Sequence, residues 1–226
     1  MIKVDKLYTY IINHDTGFSP NPFWGILTLA CCKPKIRISI GSHWVTESSL
    51  NTLIVGISPK HQGNRIIYIM KVTGCLSFSD YWEHYPQKRP DMRNDKAVFR
   101  KGDNIYKPDS TNPFGFFQLH SAHSLNPKDD NWKENLKNKE KDLGGKFVLV
   151  SNCFAYFGKE PVIIPEELST IIPGRGHKCI FPIEIRDEFS RFISGYQPVM
   201  ESGAIIQKPS QWPLNDNSWK NENYSQ

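Results

Sequence analysis

Four short stretches carry residue types suited to acid–base or anion chemistry. In His120-Ser121-Ala122-His123-Ser124 two imidazoles lie three positions apart. On a helix they would share a face and could hold a metal or a phosphate. On a strand they would point to opposite sides, and in a polar loop they need do neither. His14-Asp15 follows an apolar run and could form an acid–base pair, or Asp15 could cap the turn at Gly17 and Phe18. Gly174-Arg175-Gly176-His177-Lys178 places backbone N–H groups around two glycines beside a guanidinium, an imidazole and an ammonium. Such a run can cradle an anion, or it can be a basic turn between two apolar segments. Gly102-Asp103-Asn104-Ile105-Tyr106-Lys107-Pro108 sets an aromatic ring beside a charge, which suits a base and its phosphate, although a plain turn also fits.

The elements that must position these groups follow from periodicity. Residues 6–13 (KLYTYIIN), 53–57 (LIVGI), 65–72 (RIIYIMKV), 147–152 and 153–158 are rich in β-branched and aromatic residues and read as strands. Ile36, Ile38 and Ile40 alternate with Arg37 and Ser39, which predicts another strand. His61-Gln62-Gly63-Asn64 is a hairpin signal, so residues 36–73 read as an antiparallel meander. Residues 26–32 (ILTLACC) fit a short helix or a strand. Residues 128–146 and 184–194 have helical character, the first charged and solvated on most sides. The loop at 14–25 holds Phe18, Asn21, Phe23 and Trp24 among prolines and glycines. It would either wall a binding site or plug the core. The expected architecture is α+β: a mostly antiparallel, barrel-like sheet with one or two flanking helices. One domain would span 1–206, with a long polar insertion at about 84–146, and a polar tail would cover 207–226. The tail reads as extended or disordered, with Trp212 and Trp219 as the alternative means of docking on the body.

Composition narrows the ligand class. The chain has 226 residues, 38% hydrophobic and 12% aromatic, which suffices for a sizeable core. A net charge of +5 suits an anionic ligand. Five cysteines without a CxxC pair give no disulfide framework and no zinc ribbon. Cys31 and Cys32 would point to opposite faces of a strand, and the thiols read as reduced and mostly buried. The N-terminus is too polar for a signal peptide and no run is long enough to span a bilayer, so a cytoplasmic protein without membrane contact is expected. No Walker A run, GxGxxG, GxSxG or zinc-deaminase signature occurs, which removes weight from ATP hydrolysis, NAD chemistry, serine hydrolysis and zinc deamination.

Several stretches in order carry a resemblance: YTYIINHDTGFSPNPFWGILTLACCKPKIR, the IIYIMKV run followed by Asp80-Tyr81-Trp82, GDNIYKP, the His-Ser pair, FVLVSNCFAYFG and GRGH. Together they resemble the nucleotide modification associated domain 2 family over most of residues 6–200. The chain departs from the pattern at Gly41-Ser42-His43-Trp44, where the resemblance implies Gly-Asp-Trp. A weaker fold-level likeness, through Trp44-Val45 and the LIVGI and RIIYIMKV strands, is to PUA-like barrels that bind modified bases. The family resemblance implies a nucleotide context, linked to phage and bacterial systems that modify DNA bases, and hands over no mechanism.

Three readings follow. In the first, the protein is an enzyme of DNA base modification. A base stacks in the loop of Phe18, Asn21 and Trp24 and beside Tyr106. Gly174, Arg175, Gly176, His177 and Lys178, with Lys33 and Arg37, hold phosphate, and His120, His123 or Asp15 moves protons. In the second, the same pocket belongs to a non-catalytic reader of a modified base or small nucleotide signal. A third reading is a protein-interaction domain docking through residues 128–142. The expected partner is a nucleotide or nucleic acid. The sequence names no cofactor, assigns no metal ligands and leaves the oligomeric state open.

Overall fold

The computed structural model describes residues 2–124 and 132–220. Strand β1 (Lys6–Ile11) is buried on both faces across its middle four residues. Leu7 joins a core layer with Phe189 and Ile193, while Tyr8 and Tyr10 join another with Ile36 and Leu149. After the aromatic loop come β2 (Leu27–Leu29), helix α1 (Pro34–Gly41) and the single turn α2 (Trp44–Glu47). Here the expected strand over Ile36, Ile38 and Ile40 is a helix. Pro34 occupies its first turn, where a missing N–H is tolerated. Ile36 and Ile40 lie four apart and are buried on one face, whereas Ile38 is only half-buried.

Strands β3 (Thr52–Ile57) and β4 (Ile66–Lys71) form the expected antiparallel hairpin. Gly63 closes its turn at φ 88°, a conformation costly for any other residue. Strand β5 (Gly74–Ser77) runs into α3 (Phe78–His84), capped by Ser77, whose Oγ accepts the Asp80 N–H at 3.0 Å. The polar stretch then folds as α4 (Ala97–Arg100), the hairpin β6 (Tyr106–Pro108) with β7 (Phe116–Gln118), and α5 (Leu136–Leu143) capped by Asn135. Of the helix expected at 128–146, residues 128–131 lie outside the described residues. Strands β8 (Phe147–Ser151), β9 (Cys153–Tyr156) and β10 (His177–Lys178) follow, then α6 (Ile183–Ser194), α7 (Gln197–Glu201) and β11 (Ala204–Ile205).

A six-stranded sheet has the order β10-β1-β3-β4-β9-β11 and a three-stranded antiparallel sheet the order β2-β8-β5. In the larger sheet β1 runs parallel to β3, and β11 parallel to β9, while its other neighbours are antiparallel. One face of the larger sheet packs on α6 and α7 through Phe189, Ile193 and Met200. The other packs on β2, β8 and α1 through Leu27, Leu149 and Ile36. The class is α+β, but the described residues form no closed barrel, because the larger sheet ends at β10 and β11. Residues 207–220 lie against the body. Trp212 is buried on Phe23, and Asp15 accepts the Ser210 N–H at 2.7 Å. Among the described residues no helix is long and apolar enough to cross a membrane.

Candidate functional site

The site grows from the turn between β2 and α1. Cys32 and Lys33 both adopt left-handed backbone, at φ 62° and 42°. Two successive non-glycine residues in that region are strained and persist only when their surroundings hold them. The holder is Arg37, one turn into α1 and fully buried. Its Nε donates to the Cys32 carbonyl at 2.9 Å, and its two terminal nitrogens donate to the carbonyls of Phe147 at 2.6 Å and Asp142 at 2.7 Å. Gly145 leaves the space that this guanidinium fills, since a Cβ there would overlap it. From the end of α5, Asp142 Oδ1 accepts the Cys32 N–H at 2.7 Å, which fixes the turn from the other side.

The same carboxylate organises a second group. Asp142 Oδ2 accepts the Tyr106 hydroxyl at 2.8 Å and lies 2.9 Å from His123 Nε2. Phe18 stacks on the His123 ring, centroids 5.2 Å apart and planes 24° apart. One donor atom each from Cys32, His123 and Asp142 falls within 4.8 Å of the other two. A metal at that point would compete with the hydrogen bonds that Asp142 already accepts from the Cys32 N–H and Tyr106, so the arrangement suits proton transfer better than ligation. Burial pushes the Cys32 thiol up, as does Asp142, against the pull of Lys141, Lys33 and Arg37. Burial also works to raise Asp142, but His123, the Cys32 N–H and Arg37 outweigh it and hold the carboxyl below its ordinary range.

Cys32 lines a cavity of about 580 Å³ between β1, the start of α1 and the GRGHK turn. Lys33, Lys35, Lys141, His14 and His177 line it too, with Tyr10, Ile12 and Ile36 as an apolar wall. None of its lining residues is a carboxylate. Lys33 Nζ donates to the Ile11 carbonyl at 3.1 Å and lies 4.5 Å above the Tyr10 ring. Burial, with Lys141 nearby, lowers the Lys33 ammonium. Burial, then Lys35 and Lys33, lowers His177. Lys141 thus disfavours the Lys33 charge, and Lys35 and Lys33 that of His177, repulsions that an anion in the cavity would relieve. The N–H groups of Lys33 and Lys35 donate to no acceptor among the described residues.

The residues singled out in the sequence divide into groups. Lys33, Gly176 and His177 meet at the cavity, and Phe18, Tyr106 and His123 meet around Asp142. Gly174 and Arg175 are exposed in the turn, while Lys178 donates to the Thr170 carbonyl at 2.6 Å and pairs with β1 through Thr9. His120 is exposed, its ring 6.0 Å from that of Trp132, whereas the His123 ring stacks on Phe18. Asp15 is buried and takes hydrogen bonds from Tyr156 and Ser210, which makes it a clasp between β9 and the C-terminal segment. Burial raises its carboxyl. Asn21 is buried under Lys88 and bridges to Thr28, and Trp24 packs on Phe23 and Phe99. Arg37 and Tyr106 serve the frame through the bonds described above. Sequence reading passed over Cys32, Lys35, Asp142 and Lys141. Cys32 and Lys35 flank Lys33-Pro34, a helix start that could have flagged them, whereas Asp142 and Lys141 sit in a charge-laced run that marks nothing.

No curated protein and no solved structure matches the chain. A family model does, that of nucleotide modification associated domain 2, over residues 4–216. The match takes in β1, the strained turn, the cavity, the Asp142 cluster and Trp212, and it establishes that the chain belongs to the nucleotide modification associated domain 2 family.

Proposed function

We propose that the protein binds a nucleotide in the cavity between β1 and α1 and acts there in nucleotide modification. The family supports the second half of this reading in general terms. The first half is carried by one observation: three lysines and two histidines converge on a cavity that no carboxylate lines. Lys33, Lys35 and Lys141 hold the phosphates, His177 adds a donor, and the free N–H groups at the start of α1 reinforce them. Tyr10, Ile12 and Ile36 offer an apolar wall for a base. The volume lies within the roughly 300–1,000 Å³ common for small-ligand sites, so it suits one nucleotide, free or turned out of a strand, rather than a duplex. Arg175, Lys178 and Gly174 sit outside the cavity and serve longer-range attraction. Asp15, Asn21 and Trp24 belong to the frame.

Calorimetric titration tests the reading, with nucleoside mono- and triphosphates, inorganic phosphate and a short single-stranded oligonucleotide. At least one nucleotide should bind, and Lys33→Ala and Lys141→Ala should each weaken it about tenfold. Each should also flatten the salt dependence by roughly one unit of log–log slope. If no phosphate-bearing ligand binds at millimolar concentration, or if the lysine variants bind as the wild type does, the assignment fails.

A further inference from the structure

We propose that Cys32 is a nucleophile at the floor of this cavity, with His123 as its base and Asp142 as the group that positions both. The substrate class is a phosphate-bearing molecule with an unsaturated, electrophilic carbon. The inference rests on the nucleotide reading for the identity of the ligand, but its chemistry rests on independent geometry. First, the left-handed backbone at Cys32 lies between a strand and a helix N-terminus, a turn that lifts a side chain out of the chain's path. Second, that turn is fixed from two sides, by Arg37 on the Cys32 carbonyl and by Asp142 on the Cys32 N–H. A strained turn clamped at both its donor and its acceptor is positioned rather than incidental. Third, a ring nitrogen of His123 falls within 4.8 Å of the thiol while the ring is held by Phe18 and Asp142. Fourth, Cys32 is among the residues that line the cationic cavity, whereas Cys31 beside it is wholly buried.

The step balances without an external oxidant or reductant. The S–H bond breaks and its proton passes to the His123 ring nitrogen that lies within 4.8 Å of the thiol. A sulfur lone pair forms the S–C bond, and the displaced π pair moves to the electronegative atom at the far end of the unsaturated system. The N–H groups of Lys33 and Lys35 and the nearby ammonium groups stabilise that negative charge. The imidazolium stays paired with Asp142 and returns its proton when the bond to sulfur or to a leaving group breaks.

Peptide-resolved mass spectrometry of iodoacetamide labelling at neutral pH tests this, with exposed Cys179 as internal reference. In the wild type, Cys32 should label faster than Cys75 and Cys153, which are similarly half-buried. His123→Gln should slow Cys32 about tenfold while leaving Cys179 unchanged, because the thiolate and not the thiol reacts. A His123 that only filled space would leave a looser site whose Cys32 labels faster, and that outcome overturns the inference. So does a wild-type Cys32 no faster than Cys75 and Cys153, a reading that needs no variant to fold. So does purified protein in which stoichiometric zinc protects Cys32 until a chelator is added. A bound nucleotide should slow labelling of Cys32 alone. If labelling depends on His123 but no nucleotide slows it, the nucleophile stands and the nucleotide assignment falls.

Discussion

Arg37→Lys is the substitution whose cost the structure defines best. The charge is kept and the fork is lost. Arg37 reaches three carbonyl oxygens on three separate segments, at Cys32, Asp142 and Phe147, from a fully buried position. A hydrogen bond from a charged donor contributes about 1.5–3 kcal/mol, and each buried acceptor left alone costs about 1–3 kcal/mol. The compact ammonium of lysine can satisfy one of the three sites and leaves the others short of a donor. The expected loss is therefore about 3–5 kcal/mol, or roughly 10 °C in Tm at about 2–4 °C per kcal/mol for a chain of this size. Guanidinium unfolding should show the midpoint fall with an unchanged slope. Gly145→Ala should destabilise the wild type, because its Cβ would overlap the guanidinium, and should cost much less when added to Arg37→Lys. A loss below about 1 kcal/mol for Arg37→Lys, or strict additivity of the two changes, would refute the claim that Arg37 clamps the turn.

Lys88 is fully buried among Asn21, Ile26 and Thr28, and burial, opposed by Asp103, brings its pKa down to about 7 from 10.5. Above pH 7 the unfolded chain holds a proton that the folded one has released, so stability should rise with pH, by about 2 kcal/mol between pH 7.5 and 9. Urea titrations should show that rise in the wild type and not in Lys88→Met, and a flat wild-type profile counts against it. Burial and neighbouring cations lower His177, and a bound phosphate would favour its charged form. Nucleotide affinity should then tighten as pH falls into and below the ordinary imidazole range, and His177→Gln should flatten the trend in calorimetry; affinity that rises with pH rejects the contact. Trp212→Ala should cost about 3–5 kcal/mol and open the chain to trypsin at Lys208. Unchanged proteolysis would mean that the segment is held by something else.

Strands with β-branched and aromatic content on both faces were legible in sequence: β1, β3, β4, β8 and β9 fall where their composition puts them, and α6 where its apolar spacing puts it. Ile36 to Ile40 misled because isoleucines at every second position satisfy the period of a strand. The helix uses only the pair four apart and buries a charged Arg37 beside it. The parallel pairing of β1 with β3 and the open sheet edges have no local signature, since both depend on contacts between distant segments. At the site, the GRGH run and Lys33 were visible as cationic residues in suggestive company. Cys32 was not, because its setting comes from a left-handed turn and from His123 and Asp142, which lie far along the chain. The polar stretch thus supplies Lys141 to the cavity and Tyr106, His123 and Asp142 to the cluster beside Cys32.

The position of β1 in the larger sheet has a consequence for the order in which the molecule can be made. Among the described strands it is synthesised before the others, yet one of its two neighbours, β10, is synthesised after all but one of them. At about 5–20 residues per second, the side of β1 that pairs with β10 waits roughly ten to thirty seconds for its partner. Throughout that time an edge containing Tyr8 and Tyr10 stands open. The cavity does not exist in any nascent chain that stops short of Gly176 and His177, because they close its wall. The cavity therefore arrives late and at once, with the return of the chain to β1, and a chain stopped before Gly176 carries Cys32 without the wall that the GRGHK turn adds.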